Sequence, residues 1–161
     1  MNKPIVIGIS DLNVAKPPDT LITYALGSCV GICLYDKQTK VAGLAHIMLP
    51  LSTEAKDKSN IKKFSDTATL DMIKKMEALG ASRTRMTAKI AGGAQMFEIQ
   101  TGNESFNIGK RNVIATKKVL SALNIKIVAE DTGLNYGRTI EFCSATGILK
   151  VKSIAKGIKE I

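Results

Sequence analysis

The sequence predicts an α+β domain: mostly antiparallel or mixed sheet, with two main helices packed on it. Three observations predict this. Short runs rich in β-branched and other apolar residues recur along the chain, bounded by Gly, Pro, Asn and Asp. Only two stretches, Ser65–Leu79 and Gly109–Leu123, repeat apolar residues at helical spacing. Those two stretches do not alternate regularly with the strands, as a parallel βαβ fold would require. The chain has 161 residues, 45% of them hydrophobic and 23% charged, so one domain spanning 1–161 with a sizeable core is expected.

Taken in order, Ile5–Ile9 is a β-branched run and a first strand. Asp11 and Asn13 signal a turn, and Pro17-Pro18-Asp19 breaks the chain before a strand over Leu21–Ala25. Val30–Tyr35 and Val41–Leu49 flank the polar Asp36–Thr39 and form a hairpin. Both arms are apolar on both faces, which places the hairpin inside a sheet covered on each side. Leu51–Lys63 is a polar loop. Ser65 is placed to cap a helix that Gly80 ends, with Thr69, Met72, Ile73 and Met76 on one stripe. Arg83–Ala91 is a strand, Gly92-Gly93-Ala94 a turn, and Gln95–Asn107 irregular, with a turn signal at Gly102-Asn103. Val113, Thr116, Leu120 and Leu123 mark the second helix. Ile125–Ala129, Thr139–Cys143 and Ile148–Val151 are short strands, with turns over Asp131–Gly137 and Ala145–Gly147. Lys152–Ile161 reads as a frayed basic tail.

The net charge of +9 favours anionic partners. Nucleic acid is disfavoured, because the basic residues are scattered, aromatics are few and there is no zinc-finger spacing. An acidic protein partner or a merely solvated basic surface remains. Three cysteines without a signal segment argue against a disulfide framework, and one histidine makes a zinc site hard to assemble, so no metal is expected. No apolar run approaches the roughly 20 residues a spanning helix needs, so a cytoplasmic protein without membrane insertion is expected.

Chemistry concentrates between Thr23 and Pro50. Cys29 follows Gly27-Ser28, a turn whose free amides could form an oxyanion site beside a thiol nucleophile. A small buried hydrophobe is the other reading of Cys29. His46, the single histidine, interrupts an apolar strand: either a hydrogen-bonded core residue or the base for that thiol. A two-residue loop at Lys37-Gln38 would set Cys29 opposite His46; a register moved by two would make them diagonal neighbours on one face; a shift of one would separate them. Thr23 is either an ordinary strand threonine or the group that orients the imidazole. Cys33 and Cys143 read as core. Arg111 and Asn112, opening the second helix, either hold an acidic group or brace the fold. Gly92-Gly93 either admits a substrate helix close to the backbone or is a plain tight turn.

These residues carry a resemblance. LGSCVGICLYD followed by GLAHIMLP is similar to the CheD family of chemoreceptor glutamine deamidases. So are Gly92-Gly93-Ala94 with Met96-Phe97, Ile108-Gly109 with Arg111-Asn112, and Asp131-Thr132-Gly133 with Gly137-Arg138. Leu134 departs from the pattern, standing where the family often has a second glycine. The likeness covers about residues 5 to 152. It implies a layered α/β/β arrangement similar to the catalytic domains of bacterial deamidase toxins. It also implies Cys29 as nucleophile, His46 as base and acid, and Thr23 as the orienting residue, with no cofactor. Receptor glutamines become glutamates with release of ammonia. The implied partners are the cytoplasmic helices of methyl-accepting chemoreceptors, whose acidic surface the +9 charge would attract, and the phosphatase CheC. The alternative is a non-catalytic adaptor that binds CheC or the receptors.

Overall fold

The computed structural model describes residues 4–96 and 107–161. The irregular stretch expected over Gln95–Asn107, with Phe97 and the turn at Gly102-Asn103, lies largely outside them. Among the described residues, ten strands form two five-stranded sheets. One sheet runs β1 (Pro4–Val6), β3 (Thr20–Leu26), β8 (Arg138–Cys143), β9 (Leu149–Ser153), β10 (Gly157–Glu160). The other runs β2 (Asp11–Ala15), β5 (Val41–Ile47), β4 (Val30–Asp36), β6 (Met86–Gly92), β7 (Lys126–Thr132). Helices α1 (Ser65–Ala78) and α2 (Ile108–Ala122) cover the outer face of the second sheet.

Strand alternation explains the layering. Val30, Ile32 and Leu34 of β4 and Val41, Ala45 and Ile47 of β5 face the helices, where they pack with Met72, Ile73 and Met76 of α1 and Leu120 of α2. The opposite parity, Cys33, Ala42 and Leu44, faces the other sheet and packs with Leu21, Leu26, Ile140 and Phe142. Each such large side chain, removed from water, is worth about 1.5–3 kcal/mol. The predicted α+β class is therefore observed, as two mixed sheets and two helices. The hairpin predicted to be covered on both faces is β4–β5, at the centre of the second sheet.

Four local expectations are corrected. The Asp11–Asn13 turn is strand β2, paired antiparallel with β5. Its polar residues occupy a sheet edge while Leu12 and Ala15 are buried, so tertiary burial overrides turn chemistry. The tail expected to fray contains β10, paired antiparallel with β9. Ser65 is not the cap: Phe64 holds that position without a side-chain hydrogen bond, and the Ser65 hydroxyl donates to the Pro50 carbonyl at 2.6 Å. Asp131 belongs to β7, which runs on to Thr132, not to a turn. Gly80, with φ of 103°, ends α1 as expected.

Candidate active site

The β4–β5 ladder pairs Asp36 with Val41, so the loop is Lys37–Lys40 and Gly31 stands opposite His46. The register has moved by two from the tightest turn. Cys29, one residue before β4, shares the parity of Gly31 and Cys33 and packs against the cluster between the sheets. His46 turns to the same layer: its Nδ1 lies 2.7 Å from Thr23 Oγ1, on β3 of the facing sheet. Thiol and imidazole thus share one face as diagonal neighbours. A Cβ at Gly31, opposite His46, would lie 2.5 Å from Ile140 Cδ1, so the end of that side chain would have to shift to admit it.

The hydrogen bonds fix the state of the ring. Thr23 Oγ1 donates its only proton to the Ile7 carbonyl at 2.7 Å. It can therefore only accept from His46, so Nδ1 carries the ring proton and Nε2 the lone pair. Thr23 and His46 are fully buried, and among the described residues Nε2 has no hydrogen-bond partner. Burial lowers the imidazole's pKa to about 4. Burial also raises the Cys29 thiol, partly opposed by its own backbone N–H. At rest the pair is a neutral thiol and a neutral, unengaged base.

The turn before the sulfur is held by its carbonyls. Ala94 N–H donates to the Gly27 carbonyl and Gly93 N–H to that of Cys29, both at 2.8 Å. Asn112 Nδ2 donates to the Ser28 carbonyl at 2.9 Å. Among the described residues, the N–H groups of Gly27 and Ser28 meet no acceptor. Gly92 (φ 104°) and Gly93 (φ 66°) make this close approach possible: a Cβ at Gly92 would lie 2.3 Å from the Cys29 carbonyl oxygen, and one at Gly93 2.2 Å from Val113 Cγ2. Gly109 meets them from α2, where a Cβ would fall 2.3 Å from the Ala94 carbonyl oxygen.

The remaining predicted residues sit as follows. Arg111 is half-exposed and ion-paired with Glu54. Asn112 is fully buried. Gly92 and Gly93 are also buried, beneath the Cys29 turn. Cys33 is buried between the sheets, and Cys143 is half-buried on β8. The sequence reading missed Ile7, whose carbonyl sets the direction of the threonine hydroxyl; no local signal marks it. Arg138 was singled out only by its motif. It is buried, 3.3 Å from Asp131 and 3.0 Å from the Gly133 carbonyl, and fastens the loop whose Leu134 carbonyl accepts from Gln95 N–H. Among the described residues no group of three or more His, Cys, Asp or Glu could hold a metal ion, and no helix is long and apolar enough to cross a membrane.

The family described as CheD chemotactic sensory transduction matches residues 48–153. A protein of Lachnoclostridium phytofermentans named "Probable chemoreceptor glutamine deamidase CheD" is 51% identical over the full length of both chains. One of the same name from Caldanaerobacter subterraneus is 54% identical over 99% of each. The "Chemoreceptor glutamine deamidase CheD" of Halalkalibacterium halodurans is 50% identical over the full length of both. With the family match over residues 48–153 and about half of all positions identical along the full length of these relatives, the chain belongs to the CheD family.

Proposed function

We propose that this protein is a protein-glutamine deamidase acting on chemoreceptors, with Cys29 as nucleophile, His46 as base and acid, and Thr23 as the residue that orients the ring. The observation that carries this reading is the unpartnered Nε2 of His46, buried on the face it shares with Cys29, while Nδ1 is committed to Thr23. A buried acceptor without a partner is costly and calls for an explanation, and a catalytic role supplies one here.

The chemistry follows from the resting state. As a substrate amide settles against the turn, Nε2 takes the Cys29 proton and the sulfur attacks the side-chain carbon of glutamine. The absence of an Nε2–sulfur hydrogen bond at rest fits a contact that tightens only with substrate. The oxyanion is met by N–H groups of the 27–29 turn, whose carbonyls are all engaged elsewhere. The proton on Nε2 passes to the departing nitrogen and ammonia leaves a thioester. Water, deprotonated by Nε2, breaks the carbon–sulfur bond, and the products are glutamate and the free thiol. Atoms balance as glutamine plus water giving glutamate plus ammonia. Membership of the family supports receptor helices as substrate, and a CheC-type partner and a cytoplasmic site belong to the same reading.

The test is incubation with a receptor cytoplasmic fragment, measuring ammonia and mapping peptides by mass. Wild type should release ammonia and convert glutamine to glutamate without cleavage, and Cys29→Ala should do neither. Ammonia release retained by Cys29→Ala would overturn the mechanism. A wild-type protein that alters receptor signalling with no mass change would indicate an adaptor.

A further inference from the structure

We propose that Asn112 is a positioning residue: it sets the Ser28–Cys29 peptide plane and ties the sulfur-bearing turn to the end of the strand that bears the imidazole. The inference rests on the deamidase reading and goes beyond it, by assigning a role to a side chain that touches neither reacting group. Asn112 lies in the first turns of α2 and is fully buried. Its Nδ2 donates to two carbonyls, Ser28 at 2.9 Å and Met48 at 3.1 Å. Both partners accept, and an amide nitrogen has two hydrogens, so the orientation of the side chain follows from chemistry and its donors are fully used.

Position gives the contact its meaning. Ser28 directly precedes Cys29, and Met48 lies two residues beyond His46. The β4–β5 ladder ends at Val30 and Ile47, so no strand pairing holds these two segments together where the chemistry is. Asn112 spans that gap. In a trans peptide the carbonyl and the following N–H point in opposite directions. Holding the Ser28 carbonyl toward α2 therefore aims the Cys29 N–H away from α2. Ala94 does the same for Ser28 N–H through the Gly27 carbonyl.

Packing alone accounts poorly for this residue. Asn112 Oδ1 is buried without a hydrogen-bond partner among the described residues. An apolar residue of similar size would fill the site without leaving that acceptor unmatched. What it would not supply is the pair of donors.

Asn112→Leu keeps the volume and removes both donors; Asn112→Asp keeps the shape and is the second variant should the first fail to fold. Each is compared with Tyr35→Phe, which deletes a hydrogen bond of 2.7 Å to the Ser144 carbonyl elsewhere in the structure. Folding is checked by urea unfolding. Two quantities are then read: kcat and KM for ammonia release, and the pH profile of iodoacetamide alkylation on the Cys29 peptide, separated from that of Cys143 by mass. In a folded Asn112 variant kcat should fall about 100-fold with KM little changed, the size of losing one oriented oxyanion donor. The alkylation profile should move to lower pH as the loosened turn exposes the sulfur. Tyr35→Phe should change neither. A folded Asn112 variant with kcat within about threefold of wild type, an alkylation profile overlaying wild type, or the same changes in Tyr35→Phe would each overturn the proposal. Should wild type release no ammonia, the deamidase reading fails, while the alkylation profile still decides whether Asn112 sets the turn.

Discussion

Replacing Thr23 by Val removes one hydroxyl and leaves two buried groups without partners, the His46 Nδ1–H and the Ile7 carbonyl. Each lost partner costs about 1–3 kcal/mol, so the fold should lose about 2–6 kcal/mol. That is a large part of the 5–15 kcal/mol typical of a domain. Thr23→Ser keeps the hydroxyl and should lose only about 1 kcal/mol for the methyl group. Because the protein has one histidine, nitrogen-15 NMR of the ring is free of overlap. Wild type should show a protonated Nδ1, an unprotonated Nε2 and titration near the value of about 4 that burial imposes. The sign of the linkage follows. A base whose folded pKa lies below its unfolded value of 6.5 has its full stability above pH 6.5 and loses it as pH falls toward 4. The loss amounts to about 3 kcal/mol over that range. In Thr23→Val the tautomer is no longer held and ammonia release should collapse with it, whereas Thr23→Ser should retain both. An Nε2-protonated ring in wild type would refute the reasoning, as would a Thr23→Val protein with wild-type stability and turnover.

Two further outcomes test how the turn is held. Gly93→Ala places a methyl group 2.2 Å from Val113 Cγ2 and 2.9 Å from the Gly109 carbonyl oxygen, at a φ of 66°. It should destabilise the protein by more than about 3 kcal/mol, read as a lowered urea midpoint. Leu134 has φ of 59° and is 61% exposed, so it carries left-handed backbone strain with little packing to offset it. Leu134→Gly should raise stability by up to about 1 kcal/mol, and a lowered urea midpoint would contradict the strain argument.

The Leu134 result illustrates how far local sequence reaches. Its motif marks a position that favours glycine, and the backbone there adopts the left-handed angle although leucine occupies it. The central hairpin was legible for a similar reason: two arms apolar on both faces have few places to go except the middle of a covered sheet. Strands β2 and β10 were not legible. Asp11 and Asn13 have the composition of a turn, and Lys152–Ile161 that of a solvated tail; each became strand by pairing with a segment distant in sequence or by capping a sheet edge. Asn112 shows the same limit within the site. A helix-opening asparagine reads as anion holder or as brace, and its contacts with the Ser28 and Met48 carbonyls are visible only in the folded structure.

By itself the sequence determined the two-helix, many-strand class, the nucleophile candidate after a Gly-Ser turn and the single imidazole, because hydrophobic period, turn chemistry and residue type are local properties. The tertiary structure alone decided the register that makes Cys29 and His46 diagonal neighbours. It alone brought the Thr23 hydroxyl across from a second sheet and engaged that hydroxyl's proton with Ile7. A protonation state depends on which partners surround a group in three dimensions. Ile7 and Thr23 lie 16 residues apart, and Thr23 and His46 23 apart, so folding had to bring them together.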